Sequence, residues 1–549
     1  MNKLKRTAAL LMAAGLSLSM LAGCGTPGQD STSASPGAEQ NTTVGAAEGY
    51  TYKIATVRWN DTWPTDFLTD GVMGDLAKEA DIDIEWQIYY SNDFGEQKAL
   101  LFASDDLPDA FFGSCGLGDS DIVQNKEKLL ELTDLINEET MPNLMKIFEE
   151  DPTMRMACTD RNEQIYSLPK KIPFRPKLNS QNYINKEWLD NLNLEMPTNY
   201  DELKEVLIAF KEQDADGDGD PNNEIPISGY KPGYGSVLLD SFDLIERGDE
   251  HMSLDANNKV VFVPTQDHYK EAVKYLRELW ELGVMDEEYF TQEGSMYTAK
   301  LQKEGGSQIG IFSGWTADSW AGPNTKQFVQ MPTLESPWGT KNAQSIASTE
   351  YSDKELILNI NCPNPEKVLR WADLFYDDLV SLQTFYGSIS TGQIKDNGDG
   401  TYELLTPKDN TLDTSAWWYS PRDFGPKYMR KEFEEKVTLP TDQGDGLKLV
   451  EDELNAQYAD NPNLLHAWPG TIKFTDDEIN ERTALNVDIN SYVEAQWAHW
   501  ITEGGVEEEW DDYLQQLDAM GLQRLIEIDQ GAYDAYVEMM GLNRNRRKR

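Results

Sequence analysis

The sequence predicts an α/β protein with more than one domain, and three observations lead to that class. Strand and helix patterns alternate from Tyr50 onward, and the final part of the chain follows a helical pattern. The chain has 549 residues, which is more than one hydrophobic core can organise, so at least two domains are expected.

In the first folded region, segments with a strand pattern alternate with segments that have a helical pattern. Residues 52–57 alternate as a strand, residues 67–80 carry a helical pattern, and residues 82–88 alternate again. A further helical pattern starts near Phe94 and precedes the short apolar run 110–112. Strands separated by helices at this spacing predict a parallel sheet with crossover helices.

Two later helices have clear sequence signals. Thr198 and Asp201 have the spacing of a capping box, which predicts that a helix begins there. Near the end of the chain one apolar stripe is formed by Ile489, Val493, Trp497 and Trp500, which lie on the same face of a helix.

The N-terminus has the organisation of an export signal. Lys3, Lys5 and Arg6 precede an apolar stretch at 8–20 that is too short for a permanent membrane span. Residues 1–23 are therefore predicted to be a signal peptide. No later apolar run has membrane-spanning length, which predicts an extracellular body.

The end of this signal indicates a lipid anchor. Leu-Ala-Gly at 21–23 runs directly into Cys24 and resembles the lipobox of bacterial lipoproteins, in which the cysteine carries diacylglycerol. The alternative is an ordinary signal peptide that is cut at a nearby small residue. Residues 24–49 are rich in Gly, Ser, Thr, Pro and Ala, and we expect them to form a flexible tether between the lipid on Cys24 and the folded body.

The overall charge excludes one class of partner. The net charge is −48 and is spread along the chain, so phosphate backbones are repelled and nucleic acid is not an expected partner. Beyond Cys24 the cysteines are Cys115, Cys158 and Cys362, an odd number that cannot form a disulfide scaffold. The sequence contains no H-E-x-x-H, G-x-S-x-G or phosphate-binding glycine motif.

An acidic, glycine-rich loop at 214–224 has the composition of a cation site. Its carboxylates alternate with glycines, which lets several oxygens converge on a hard cation such as Ca²⁺. The opening matches an EF-hand loop, but Ile225 occupies the twelfth position, and the extended pattern at 225–227 replaces the second helix. The alternative is a solvated turn. Residues 396–400 (DNGDG) are similar in composition, but they are predicted to form a hairpin turn.

The regions around this loop resemble a known family. Residues 183–190 (YINKEWLD), 196–198 (MPT) and 223–226 (NEIP) are similar to the extracellular solute-binding lipoproteins of oligosaccharide ABC importers, the LipO-type and alginate-binding proteins. The resemblance covers the body from Tyr50 onward. It implies two α/β lobes, each a mixed sheet flanked by helices, which close on a sugar, together with a helical C-terminal region.

The resemblance also implies domain limits and a structural calcium ion. The first lobe would comprise residues 50–170 and 325–395, and the second lobe residues 171–324 and 396–549. The implied calcium ligands are Asp214, Asp216, Asp218, Asp220, Asn223 and Glu224. Asn223 stands where the family usually has Asp, and the loop is one residue longer, so the resemblance does not fix the ligand set.

Aromatic residues in polar, turn-rich segments are the candidate sugar contacts. Indole and phenol rings stack on the apolar faces of sugars, while planar polar groups bind the hydroxyls. The candidates are Trp59, Asn60, Trp63, Tyr230, Tyr234, Trp315, Trp320, Trp417, Trp418 and Arg422. Trp59 and Trp63 follow the first strand, and ligands bind at the carboxyl ends of strands in open α/β sheets.

These observations favour one function and leave two alternatives. The favoured hypothesis is a monomeric, non-catalytic lipoprotein on the extracellular face of the membrane, which captures an oligosaccharide and delivers it to an ABC permease by hinge closure. A secreted hydrolase or lyase would need two carboxylates about 5–9.5 Å apart in one cleft, which composition cannot test. A peptide or sensory receptor on the same fold is the third hypothesis.

Overall fold

The computed structural model describes residues 49–59, 63–91, 93–104, 106–114, 116–172, 176–229, 237–245, 251–346, 350–405, 416–459, 461, 463–466 and 468–540. The predicted signal peptide (1–23), Cys24 and the tether up to residue 48 lie outside the described residues, as do Asn60, Tyr230 and Tyr234. Within the described ranges no helix combines the length and the apolar character that a membrane crossing requires.

The strands of the described ranges are β1 (Thr51–Arg58), β2 (Asp83–Tyr90), β3 (Ala110–Phe112), β4 (Lys170–Lys171), β5 (Gln181–Asn185), β6 (Ile225–Ile227), β7 (Met252–Leu254), β8 (Val260–Phe262), β9 (Ile309–Gly314), β10 (Phe328–Gln330), β11 (Tyr351–Ser352), β12 (Leu356–Leu358), β13 (Ile394–Asp396), β14 (Tyr402–Leu404) and β15 (Val437–Thr438).

The helices of the same ranges are α1 (Gly71–Glu79), α2 (Phe94–Ser104), α3 (Asp119–Gln124), α4 (Pro142–Glu150), α5 (Pro152–Cys158), α6 (Lys186–Leu192), α7 (Tyr200–Glu212), α8 (Asp267–Glu281), α9 (Gly294–Leu301), α10 (Ala317–Trp320), α11 (Pro365–Asp373), α12 (Asp378–Tyr386), α13 (Lys431–Glu434), α14 (Gly444–Glu451), α15 (Asp476–Thr502), α16 (Val506–Ala519) and α17 (Leu522–Met539).

Two four-stranded sheets organise the chain. In the first sheet the order is β12-β3-β1-β2, where β1, β2 and β3 are parallel and β12 pairs antiparallel with β3. This arrangement confirms the predicted parallel sheet of the first region. In the second sheet the order is β10-β5-β9-β6, with β6 parallel to β9 and the other pairs antiparallel. Both sheets are therefore mixed.

Each sheet has its own hydrophobic core, which gives the two lobes expected of the fold. The first core includes Ile54 of β1, Phe112 of β3 and Trp371 of α11, all of them at most 1% exposed. The second core joins β5 and β9 to the long C-terminal helices, where the predicted stripe of α15 is fully buried. The pattern of the final segment is thus confirmed as helical.

The limits of the lobes stay a prediction, and two features of the structure bear on them. The short strands β4 and β11 pair near residue 170, where the first crossing was predicted. Phe424 and Tyr428, in the part of the chain assigned to the second lobe, pack in the first core.

Two helix starts differ from the sequence prediction. The helix predicted at 67–80 begins only at Gly71, because the Asp70 carboxylate caps it by accepting from the Gly71 amide at 2.8 Å. The predicted capping box of α7 is also wrong by one residue. Asn199, not Thr198, is the capping residue, and it accepts from the Glu202 amide at 2.9 Å.

Candidate ligand-binding site

The first group of aromatic candidates lies at the carboxyl end of β1. Trp63 stacks on Trp417, with ring centroids 5.5 Å apart and 23° between the planes. Trp59 remains 53% exposed and lies 5.9 Å from the Phe424 ring, which in turn contacts Trp417 at 5.1 Å. The structure therefore brings together rings that are more than 350 positions apart in sequence.

Arg58, the last residue of β1, belongs to this group although the sequence analysis did not identify it. Its side chain is buried, and one terminal nitrogen, Nη2, donates to the Trp417 carbonyl oxygen at 2.6 Å. Its position at the end of an apolar parallel strand is the signal that could have found it, because ligands bind at such strand ends.

The second group surrounds the carboxylate of Asp445 on α14. This carboxylate accepts from Trp315 Nε1 at 3.1 Å, from the Tyr386 hydroxyl at 2.8 Å, and from Arg422 at 2.7 and 2.8 Å. Arg422 also stacks on Phe385, with its guanidinium carbon 3.9 Å from the ring centre. Two sequence candidates, Trp315 and Arg422, therefore meet through Asp445, which was not predicted.

The charges of this group neutralise each other. Burial alone would raise the pKa of Asp445, but the Arg422 charge and the hydrogen bonds from Arg422, Tyr386 and Trp315 bring it below its ordinary value. Burial alone would lower the pKa of Arg422, and the Asp445 charge raises it above the usual value. The two side chains therefore form an ion pair in which Asp445 is 4% and Arg422 is 12% exposed.

Helix α14 presents its charged side chains to the protein interior. Asp445 and Lys448 are buried, whereas Leu449 and Val450 are 38% and 50% exposed. The Lys448 ammonium pairs with Asp452, donates to the Asn179 carbonyl oxygen at 2.9 Å and lies 5.0 Å from the centre of the Trp315 ring. Charged residues on a helix usually face solvent, so sequence reasoning did not identify them as part of a site.

One segment, residues 416–425, connects the two groups. It carries Trp417 against Trp63 and, five positions later, Arg422 against Asp445. At its end Gly425 has φ +86°, and a Cβ there would lie only 2.1 Å from the Phe112 ring. A glycine is required at this position, because both the backbone angle and the close approach exclude a side chain.

Two further aromatic candidates of the described ranges are Trp320 and Trp418. Trp320 ends α10 and packs behind β9, where its indole would lie 2.4 Å from a Cβ on Gly314 and its centroid is 6.3 Å from that of Tyr297. Trp418 is half-buried, and its indole nitrogen is buried without a hydrogen-bond partner in the described part of the chain. Their contact with a ligand stays a prediction.

The acidic loop between α7 and β6 gathers its carboxylates as the sequence predicted. One carboxylate oxygen from each of Asp214, Asp216 and Asp218 lies within 4.8 Å of the others. The loop is held by backbone amides: Gly219 N donates to Asp214 at 3.1 Å, and Asp218 N donates to Asp216 at 3.0 Å. Gly217 and Gly219 adopt positive φ angles of 77° and 94°, which explains the glycines.

Three oxygens of this loop are buried without hydrogen-bond donors among the described residues. They are Oδ1 of Asp214, Oδ1 of Asn223 and Oε2 of Glu224. Burial raises the pKa of Glu224, and burial together with the nearby Asp218 and Asp214 charges raises the pKa of Asp216. Buried acceptors without donors are unfavourable, and a hard cation with oxygen ligands would satisfy them. The donor set therefore fits Ca²⁺.

Asp220 is less well placed than the other acidic residues of the loop. It is exposed, and its Oδ1 accepts from both the backbone amide and the side-chain amide of Asn222, at 3.2 and 3.0 Å. Asp220 could therefore bind a cation through its Oδ2 or its backbone carbonyl oxygen.

The fold and the site define a two-lobed α/β binding protein with aromatic groups after β1 and β9 and an acidic loop before β6. The family model for bacterial extracellular solute-binding proteins matches residues 33–378, which is more than half of the chain. The chain therefore belongs to that family.

One relative aligns with nearly the whole chain. The fructooligosaccharide ABC transporter substrate-binding protein FusA of Streptococcus pneumoniae serotype 4 is 31% identical over 553 aligned residues, which span 97% of this chain and 98% of FusA. The two sequences can therefore be aligned over almost their whole lengths.

Solved structures show the same architecture. FusA in complex with kestose has a TM-score of 0.78 at 28% identity, covering 89% of this chain and 99% of that one. An EF-hand mutant of FusA in complex with fructo-nystose gives the same values. An HMO-binding solute-binding protein from Bifidobacterium longum infantis has a TM-score of 0.74 at 26% identity, covering 88% and 99%. The predicted two-lobed fold is confirmed.

Proposed function

We propose that this chain is an extracellular solute-binding protein that captures an oligosaccharide between its two lobes and delivers it, unaltered, to the permease of an ABC importer. We further propose that it acts as a monomer and is held at the outer face of the membrane by a diacylglycerol on Cys24, beyond a tether that reaches residue 49. The lobe limits at 50–170 with 325–395 and 171–324 with 396–549 are part of this proposal.

The main observation behind the proposal is that aromatic rings and hydrogen-bonding groups from several elements meet around the segment 416–425. Trp63 and Trp417 provide apolar faces at the end of β1, and the Trp315 indole is fixed by Asp445 at the end of β9. Sugars are bound by this combination of stacked rings and planar polar groups. The name of FusA, a fructooligosaccharide-binding relative across the whole chain, supports the same ligand class.

The experiment measures binding and turnover together. Protein lacking residues 1–24 is titrated with neutral fructo-, gluco- and galacto-oligosaccharides while tryptophan fluorescence and new reducing ends are recorded. A saturable fluorescence change without new reducing ends is expected. Release of reducing ends would instead support the hydrolase or lyase, and a response confined to a peptide mixture would support the peptide receptor.

We also propose that the acidic loop binds a structural Ca²⁺ through Asp214, Asp216, Asp218, Asp220, Asn223 and Glu224. The three buried oxygens without donors support this assignment, and so does the existence of an EF-hand mutant among the FusA structures. The ion would compensate the carboxylate charges and fix the loop at the start of β6.

Chelation tests the calcium proposal. EDTA should lower the melting temperature and added Ca²⁺ should restore it, because a ligand present at 100 times its Kd stabilises the folded state by about 2.7 kcal/mol. The double variant Asp216→Ala, Asp218→Ala should melt at the chelated temperature whether or not Ca²⁺ is present.

The matched control for this test is the second acidic turn, between β13 and β14. The structure confirms the predicted hairpin, in which Asp396 and Asp399 accept from the Gly398 and Thr401 amides at 2.8 and 3.0 Å. The variant Asp396→Ala, Asp399→Ala should keep the full response to EDTA. A wild-type protein that melts equally with and without EDTA would contradict the assignment.

A further inference from the structure

Arg58 has hydrogen-bond donors that no described residue of the protein accepts. The side chain is 1% exposed, and among the described residues only Nη2 has a partner, the Trp417 carbonyl oxygen. Nε and Nη1 are buried and have no acceptor in the described part of the chain. A buried donor without an acceptor costs about 1–3 kcal/mol, and more when it is charged, so such groups in native proteins have a reason.

Three aromatic rings surround the guanidinium. Its central carbon lies 4.9 Å from the centre of the Phe67 ring, 5.6 Å from Trp417 and 5.7 Å from Trp63. Ring faces attract a cation, and this attraction is strongest where water is excluded. Burial lowers the pKa of Arg58 to about 10, so the group is still charged at neutral pH.

The rings therefore stabilise the charge of Arg58, but they provide no hydrogen-bond acceptors for its Nε and Nη1 groups. Arg422 is the contrasting case, because two of its hydrogen bonds go to the Asp445 carboxylate. Within the described ranges Arg58 lacks acceptors for Nε and Nη1. Sugar hydroxyl groups are acceptors of this kind, and a pair on adjacent ring carbons matches the spacing of guanidinium N–H groups.

The indoles beside Arg58 fit the same ligand. Trp63 and Trp417 are half-buried, so a sugar ring lying on an indole face would bring its edge hydroxyls toward the guanidinium. A carboxylate-bearing sugar is less well matched, because the net charge of −48 repels anions and the rings already stabilise the cation.

We propose that Arg58 is a specificity-determining residue that donates hydrogen bonds to adjacent hydroxyl groups of a neutral sugar residue stacked beside Trp63 and Trp417. The inference rests on the proposed oligosaccharide-binding function and adds the residue that reads the sugar and the class of sugar that it reads.

The test compares wild type with Arg58→Lys and Arg58→Gln by calorimetry, using kestose, its monodeoxy analogues and trigalacturonate as probes. Both variants should bind kestose at least 30-fold more weakly, because neither reproduces the planar guanidinium. In wild type, one deoxy analogue should lose at least 10-fold in affinity, whereas in Arg58→Gln the same analogue should bind as kestose does. A role of Arg58 in folding alone would not remove this difference.

A structure of wild-type protein with kestose keeps the proposal testable even if the variants fail to fold. Arg58 Nε or Nη1 should lie within hydrogen-bonding distance of a sugar hydroxyl. If wild type binds kestose but Arg58 contacts no hydroxyl, or if both variants bind kestose as wild type does, the inference is wrong and the function stands. Tighter binding of trigalacturonate than of kestose overturns the neutral-sugar assignment. If wild type binds none of the oligosaccharides in this or the earlier panel, the proposed function itself is wrong.

Discussion

Two arginines near the segment 416–425 have opposite environments, one of them buried and the other with a side chain that is 12% exposed. Arg422 forms an ion pair with Asp445, and Tyr386 and Trp315 donate hydrogen bonds to the same carboxylate. The charges and hydrogen bonds of Asp445 are therefore satisfied without a ligand. Arg58 is surrounded by three rings, and its Nε and Nη1 have no acceptor in the part of the chain that the structure describes. The difference separates a group that fixes the shape of the site from a group that has capacity left to bind.

The largest expected effect comes from removing the counterion of Arg422. Asp445→Asn leaves a buried guanidinium without its negative partner, and breaking such a pair costs about 3–5 kcal/mol. Urea unfolding should show a loss of that size in the free energy of unfolding. Asp442→Asn, an exposed carboxylate on the same approach to α14, is the control and should change the value by less than about 0.5 kcal/mol. Equal stability of Asp445→Asn and wild type would show that the pair is not structural.

The next effect concerns recognition rather than stability. Trp63→Ala removes a ring beside Arg58 and should weaken oligosaccharide binding by about 2 kcal/mol, which is about 30-fold in Kd. The control is Trp338→Ala, a surface tryptophan stacked on His268 at 4.2 Å and in neither aromatic group. It should leave the Kd within about twofold, a small change on the scale of a binding hot spot. An equal loss in both variants would remove the distinction between the Arg58 group and surface tryptophans.

The smallest effect is the contribution of Asp445 to the loss of stability at acid pH. The folded-state pKa of Asp445 lies below its unfolded value, so its stabilisation is complete above the unfolded pKa and is lost as pH falls through the folded pKa. Thermal melts from pH 6 downward should therefore show a loss below about pH 4 that is reduced in Asp445→Asn. Parallel curves for the two proteins would contradict the assignment.

Sequence reasoning named individual rings as candidates, but it did not predict which residues they contact. Aromatic and basic residues in turn-rich segments are seldom part of a hydrophobic core. This made four residues identifiable as candidates, namely Trp63, Trp315, Trp417 and Arg422. Their pairing was not identifiable, because no local pattern connects β1 with a segment more than 350 positions later. The fold was predictable because periodicity is local and the family resemblance covers the body.

The misses have local physical causes. Arg58 was overlooked because it ends a strand whose other residues are mostly core, and an arginine at a strand end reads as a solvated side chain. Asp445 and Lys448 lie on a helix whose charges usually indicate solvent. The capping residue of α7 is Asn199 rather than Thr198, because the Asn199 side chain accepts from the Glu202 amide. Glu202, and not Asp201, bonds back to Thr198, with its Oε2 2.8 Å from both the Thr198 amide and hydroxyl.

The inward-facing charges of α14 reverse the usual rules for interpreting sequence variants in this region. Leu449 and Val450 are exposed, so polar replacements there should be tolerated in a mutational scan, whereas a conservative change at Lys448 or Asp445 should be deleterious. A mutational-effect score that gives hydrophobic positions the greatest weight would rank the sensitivity of these four residues to substitution in the wrong order.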